Sequence, residues 1–110
     1  AERHGTTNRV VLKALEIIEA SLDRPPSREA IATACGRSLR QIERLFQDHL
    51  GQSLSETALA IRLDSAAHRL RTTDAAITQI ALDCGFVSAA HFSRRMRQRF
   101  GMPPSALRNG

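Results

Sequence analysis

The sequence has no tryptophan and no tyrosine, and only four phenylalanines in 110 residues. Binding by stacking bases or ligand rings on an aromatic platform is thereby excluded as its main device. Two cysteines, Cys35 and Cys84, are too few for a disulfide framework or a four-thiolate zinc site, and a reduced, cytosolic setting is the expectation. No apolar run approaches the roughly 18–20 residues that span a bilayer, so no membrane partner is expected. The opening Ala1-Glu2-Arg3-His4 lacks the basic-then-apolar layout of a secretory signal. Lysine is nearly missing too: Lys13 stands alone among sixteen basic residues, and the rest are arginine.

Acidic residues are absent from the end of the chain. Ser88 to Gly110 holds five arginines (Arg94, Arg95, Arg97, Arg99 and Arg108) and neither Asp nor Glu, on a chain with a net charge of +5. A local basic block on an otherwise balanced chain points to a surface that faces a polyanion. The planar fork of arginine suits phosphates and guanine edges. A GC-rich genome is the other source of such an arginine share.

What is present is helical periodicity. Val11, Leu15, Ile18 and Leu22, with Leu12 beside them, form an apolar stripe behind an Asn8 N-cap, and Pro25-Pro26 is expected to end that helix. Ser27 caps a short second helix with Glu29 in its first turn, and Cys35-Gly36 closes it. Ser38-Leu39-Arg40-Gln41 reads as a capping box opening a helix with Ile42, Leu45, Phe46 and Leu50 inward, ended by Gly51. A second box, Ser53-Leu54-Ser55-Glu56, starts a long helix to Arg71 with Leu59, Leu63, Ala66, Ala67 and Leu70 on one face. Further helices are expected over Ala76 to Cys84 and Ser88 to Phe100, with a last turn after Pro103-Pro104. No stretch alternates as a strand would. The fold class is all-α, with about seven helices.

The chain repeats itself. Ile31-Ala32-x-x-Cys35-Gly36 matches Ile80-Ala81-x-x-Cys84-Gly85 at an offset of 49, and after one inserted residue Ser38 matches Ser88, Arg44 matches Arg94 and Gly51 matches Gly101. Each copy is a short helix, a turn containing glycine and a second helix. A small residue, Ala32 or Ala81, stands where two steeply crossed helices approach, and the glycine four residues on supplies a positive φ. Two helix-turn-helix units, 27–51 and 76–101, joined by a long helix over 54–71, account for the pattern better than a plain helical bundle.

The layout resembles the DNA-binding domain of AraC/XylS-type bacterial transcription regulators, from about Val10 to Arg108. The most specific stretch is Ile77-x-x-Ile80-Ala81-x-x-Cys84-Gly85-Phe86-x-Ser88-x-x-x-Phe92-Ser93-Arg94-x-Met96-x-x-x-Phe100-Gly101-x-x-Pro104-Ser105, and Ser38-x-Arg40-x-Ile42-x-Arg44-x-Phe46 resembles the family's first recognition helix. Two departures stand out. Ala76 replaces a common Ser or Thr cap, leaving Asp74 as the candidate cap, and Ala89-Ala90 opens the second recognition helix without polar groups.

The resemblance implies that the chain is a single DNA-binding domain over 1–110, with 1–7 as a linker remnant. It implies a cytoplasmic, nucleoid-associated activator acting on double-stranded promoter DNA, RNA polymerase as a further partner, and a missing N-terminal sensor or dimerisation domain of the amidotransferase-like kind. A recognition helix places its N-terminal residues at base edges. The candidate base readers are accordingly Arg40, Glu43 and Arg44 on the first helix and Ala90, His91 and Arg94 on the second. Arg44 leads, because arginine engages guanine O6 and N7 together; Glu43 either accepts from a cytosine amine or orients Arg40; Ala90 is placed to touch a thymine methyl. Ser38, Gln47, Ser88, Arg95, Arg97 and Arg99 are the candidate phosphate contacts. The helix over 54–71 measures about 27 Å at 1.5 Å per residue, against about 34 Å for a duplex turn. That shortfall implies either bent DNA or a second unit incompletely inserted.

Two rivals remain at this stage: a basic face that docks acidic regions of RNA polymerase, and nucleic-acid repair chemistry at Cys35 or Cys84. No phosphate-binding loop, nucleophile elbow or carboxylate pair is present, and His4, His49, His68 and His91 lack the i, i+4 pairing of metal ligands. Neither catalysis nor a cofactor is expected.

Overall fold

The computed structural model describes residues 7–109, so the reading of 1–7 as a linker remnant falls, apart from Thr7, outside the described residues. Among them are seven helices and no strand: α1 (Arg9–Ala20), α2 (Arg28–Ala34), α3 (Leu39–Leu50), α4 (Leu54–Thr72), α5 (Ile77–Asp83), α6 (Ala89–Phe100) and α7 (Pro104–Asn109). The chain divides into two units, one holding α1 to α3 and α4 as far as Leu59, the other holding the rest of α4 and α5 to α7.

Helix starts are set by short polar side chains. Asn8 accepts from the N–H groups of Val10 and Val11, Ser27 from Ala30, and Ser88 from His91. Each satisfies a donor that has no acceptor inside its own helix. Ser38 and Gln41 form a reciprocal capping box on α3. Ser53 and Glu56 do the same on α4, at 2.8 and 3.0 Å, and the Ser53 N–H holds the Glu56 carboxyl below its usual range. Helix α5 starts at Ala76 with no side-chain cap, so Asp74 does not do the capping work expected of it.

The first unit closes around Val11, Ala14, Leu15 and Ile18 of α1, Ile31 and Ala32 of α2, Ile42 and Phe46 of α3, and Leu54. The second closes around Leu63, Ala66, Ala67 and Leu70 of α4, Ile80 and Ala81 of α5, Cys84, Phe86, Phe92 and Met96, with Leu107. The inward residues of α1 match those of α4 one for one at an offset of 52. The repeat is therefore three helices deep, not two.

Three expectations need correction. Helix α1 ends at Ala20, before the prolines. Continued to Arg24, it would aim the carbonyls of Ser21 and Leu22 at Pro25 and Pro26, which carry no N–H. Leu45 is only half-buried and sits among outward-facing side chains of α3, where Ile42 and Phe46 already fill the inward face. Leu59 is half-buried as well, since Leu54 and Thr57 face inward at that end of α4.

Candidate nucleic-acid interface

Both units make the same turn with the same bonds. In the first, the Gly36 N–H donates to the Thr33 carbonyl at 3.0 Å and the Arg37 N–H to the Ala32 carbonyl at 3.0 Å. In the second, Gly85 donates to Leu82 at 3.0 Å and Phe86 to Ala81 at 2.8 Å. This is a Schellman closure, which satisfies the last carbonyls of a helix through a left-handed glycine. Gly36 has φ +67° and Gly85 +85°, and a Cβ on Gly36 would meet nothing within 4 Å. The demand for glycine there is conformational, not spatial. Ile42 with Phe46 and Phe92 with Met96 are then buried, so that α3 and α6 each turn one face inward and leave the other in solvent.

On α3 the outward face carries Arg40, Arg44 and Gln47, all exposed. The Arg44 side chain is 84% exposed and pairs loosely with Asp48 at 4.0 Å across one helical turn, a contact worth a few tenths of a kcal/mol at most. Arg37, Gln41, Arg44, Leu45 and Asp48 line a shallow open pocket of about 260 Å³ beside the turn. On α6, Arg94 and Arg97 are exposed and Arg95 is half-buried.

Comparison with known proteins places this arrangement. The helix-turn-helix domain family matches residues 31–110. The transcriptional regulator GlxA of Rhizobium meliloti is 39% identical over 108 residues, covering 98% of this chain and 33% of that protein. The regulatory protein SoxS of Salmonella typhimurium is 35% identical over 100 residues, covering 91% of this chain and 94% of that protein. A solved transcriptional regulator with an AraC-type DNA-binding domain, from Chromobacterium violaceum, superposes with a TM-score of 0.88 at 39% identity, covering 91% of this chain and 89% of that one. The chain belongs to the AraC-type helix-turn-helix family. It spans about a third of the length of the first curated relatives it matches, 33% and 31% of them.

Within this AraC-type domain the arginines divide into two groups, a division the sequence did not reveal. Arg99 is clamped to Asp64 of α4 by two bonds, Nε to Oδ1 at 2.7 Å and Nη2 to Oδ2 at 2.9 Å, and that carboxylate holds its guanidinium above the usual range. Arg108 donates to the carbonyls of Leu70, Thr73 and Ala75 at 3.2, 3.2 and 2.6 Å. The most integrated arginine, Arg62, was not singled out from the sequence. Its Nε and Nη2 donate to the carbonyls of Cys84 and Gly85 at 2.9 and 2.8 Å, and its guanidinium lies 4.3 Å from the Phe86 ring centroid. Burial pushes its pKa down. Arg37, also passed over, stands exposed at the turn, where its place between the glycine and the Ser38 cap was the available signal.

Two other candidate readers also have internal partners. Glu43 accepts from the Leu54 N–H at 2.9 Å through Oε1 and from Arg28 Nη1 at 3.1 Å through Oε2. Leu54 is the first residue of α4, and its N–H has no acceptor within that helix. Thus Glu43 ties the recognition helix to α2 and to the start of α4. His91 is half-buried, with its ring 5.8 Å from that of Phe86 and its Nε2 accepting from Arg95 Nε at 3.4 Å. The Ser38 and Ser88 hydroxyls both accept capping bonds.

The cysteines differ: Cys84 is buried and Cys35 only half-buried. Desolvation pushes both thiols upward in pKa, which disfavours the thiolate that reactive chemistry needs. Among the described residues no group of three or more His, Cys, Asp or Glu is placed to hold a metal ion, and no helix is long and apolar enough to cross a membrane.

Proposed function

We propose that this domain reads a specific, non-palindromic promoter sequence for a bacterial transcription regulator. In this reading the helix-turn-helices of 27–51 and 76–101 lay α3 and α6 in successive major-groove segments of one duplex. Helix α4 has 19 residues and so is about 28 Å long, against about 34 Å per duplex turn. Arg40 and Arg44 read bases from α3 and Arg94 from α6; Arg37, Gln47, Arg95 and Arg97 hold phosphates, with Ser38 and Ser88 at the strand as helix caps. Glu43, His91 and Arg99 act as positioning residues, given the internal partners they already have.

The observation that carries the reading is that the same Schellman turn occurs twice, each time delivering a helix whose outward face bears uncommitted arginine. No step in this function calls for catalysis, and the domain acts in the cytoplasm. RNA polymerase, and a sensor or dimerisation domain in the remainder of a longer chain, are the further partners, in keeping with the length of the relatives.

Selection of duplexes from a random pool tests the function directly. A site of about 15–20 base pairs should emerge, and an unrelated duplex should compete poorly with it at about 150 mM salt. Equal competition would leave only the protein-docking reading of the basic face. Arg44→Ala should relax preference at one base pair, by about 1–3 kcal/mol of discrimination.

A further inference from the structure

The entry to the second recognition helix is made of methyl groups. Val87 is the residue by which this turn exceeds the first, and it is 95% exposed, against 52% for Leu82 and 39% for Met102. Ala89 and Ala90 follow, both exposed. The polar groups beside them already have partners within the fold. Ser88 Oγ accepts from the His91 N–H at 3.2 Å, and the His91 ring packs on Phe86 while Nε2 accepts from Arg95. The next exposed polar side chain on α6 is Arg94, a full turn beyond Ala90.

A lone exposed apolar residue is ordinary. Three within four positions, at the end of a helix that the proposed function sets against base edges, state a chemistry. Every recognition group in the major groove is a hydrogen-bond donor or acceptor except one, the C5-methyl of thymine. An entry lined by methyl groups can discriminate only through that group. The valine suits the task, because a β-branched side chain has little χ1 freedom to lose on contact.

We infer that Val87, Ala89 and Ala90 read thymine C5-methyl groups, so that the second unit adds apolar contact to the hydrogen bonds of Arg94, where the first selects bases by arginine hydrogen bonds alone. This rests on the DNA-reading function proposed above. Burial of one methyl-sized group is worth about 0.8 kcal/mol, or about fourfold in Kd.

The test uses the duplex that this 110-residue chain enriches from a random pool, remade with deoxyuridine for deoxythymidine one position at a time. That exchange deletes the C5-methyl and leaves base pairing intact. At one or two thymines next to the base pair whose preference Arg94→Ala relaxes, Kd should rise about fourfold each. A Val87→Ser, Ala90→Ser double variant, altered only at exposed positions and keeping Ala89, should lose most of the difference between the thymidine and uridine duplexes. Uridine tolerated within twofold throughout that segment, or a double variant as sensitive as the parent, would overturn the inference alone. A pool that never converges on a sequence would instead remove the DNA-reading function and this inference with it.

Discussion

In the first unit the residue after the turn glycine is Arg37, exposed to solvent; in the second it is Phe86, buried against Phe92 at a ring separation of 5.1 Å and covered by the Arg62 guanidinium. The backbone bonds of the two turns are the same. What differs is how each turn is held. The first relies on backbone geometry and on the reciprocal capping box of Ser38 and Gln41. The second has only the one-way cap of Ser88 and adds side-chain packing, with Arg62 bonded to two carbonyls at the C-terminal end of α5. Arginine in the second unit therefore serves structure as well as any ligand, and local positive charge overstates the surface available to a polyanion.

The comparison breaks most visibly at the residue after the glycine. Phe86→Ala should cost about 3–5 kcal/mol, as for other buried phenylalanines, whereas Arg37→Ala should stay within about 0.5 kcal/mol. Urea unfolding of the two variants checks this, and similar losses would mean that the turns are held alike. Arg62→Lys is the next largest. An ammonium cannot reproduce the fork that meets two carbonyls at once, so a loss of about 2 kcal/mol is expected, together with weakened base preference at the second unit's segment only. Full retention of stability and of preference would show that the fork is dispensable. Smaller again, Gly36→Ala and Gly85→Ala should each cost about 1–2 kcal/mol, because both force a side chain into the left-handed region. Equal losses sharpen the view that the two backbone turns are one device, while a loss at only one glycine contradicts it.

Much of this fold was legible because its boundaries are local chemistry. Asn8, Ser27, Ser38, Ser53 and Ser88 announce helix starts within two or three residues of the donors they cap. Gly36 and Gly85 announce the turns just as locally. The full depth of the repeat escaped because its offset is 52 for the first helix of each unit but 49 and 50 for the next two. The loop from α1 to α2 is three residues longer than that from α4 to α5, and a fixed-offset comparison misses such a change. The positions of both recognition helices were readable in the same way. Which arginines they leave uncommitted was not, since Arg99 meets a carboxylate 35 residues away and Arg62 meets carbonyls 22 and 23 residues away. Glu43 escaped for the same reason: its partners, 11 and 15 residues distant, share no helix turn with it.

The finest test of the comparison lies within one helix. Arg97 and Arg99 are two residues apart on α6, yet only Arg99 has a carboxylate in both forks of its guanidinium. On charge alone they are interchangeable. By structure they are not, because a cation already neutralised by Asp64 displaces no phosphate counterion unless the pair first opens. Removing Arg97 should flatten the slope of log affinity against log salt by about one unit and leave stability within about 0.5 kcal/mol. Removing Arg99 should leave the slope nearly unchanged and cost less than about 1 kcal/mol of stability, the range for a solvent-exposed pair. Asp64→Asn should reproduce that stability loss, and the double variant should show it only once. A slope that falls by one unit for Arg99→Ala as well would mean that the ion pair opens on the duplex and that Arg99 belongs with the phosphate contacts after all.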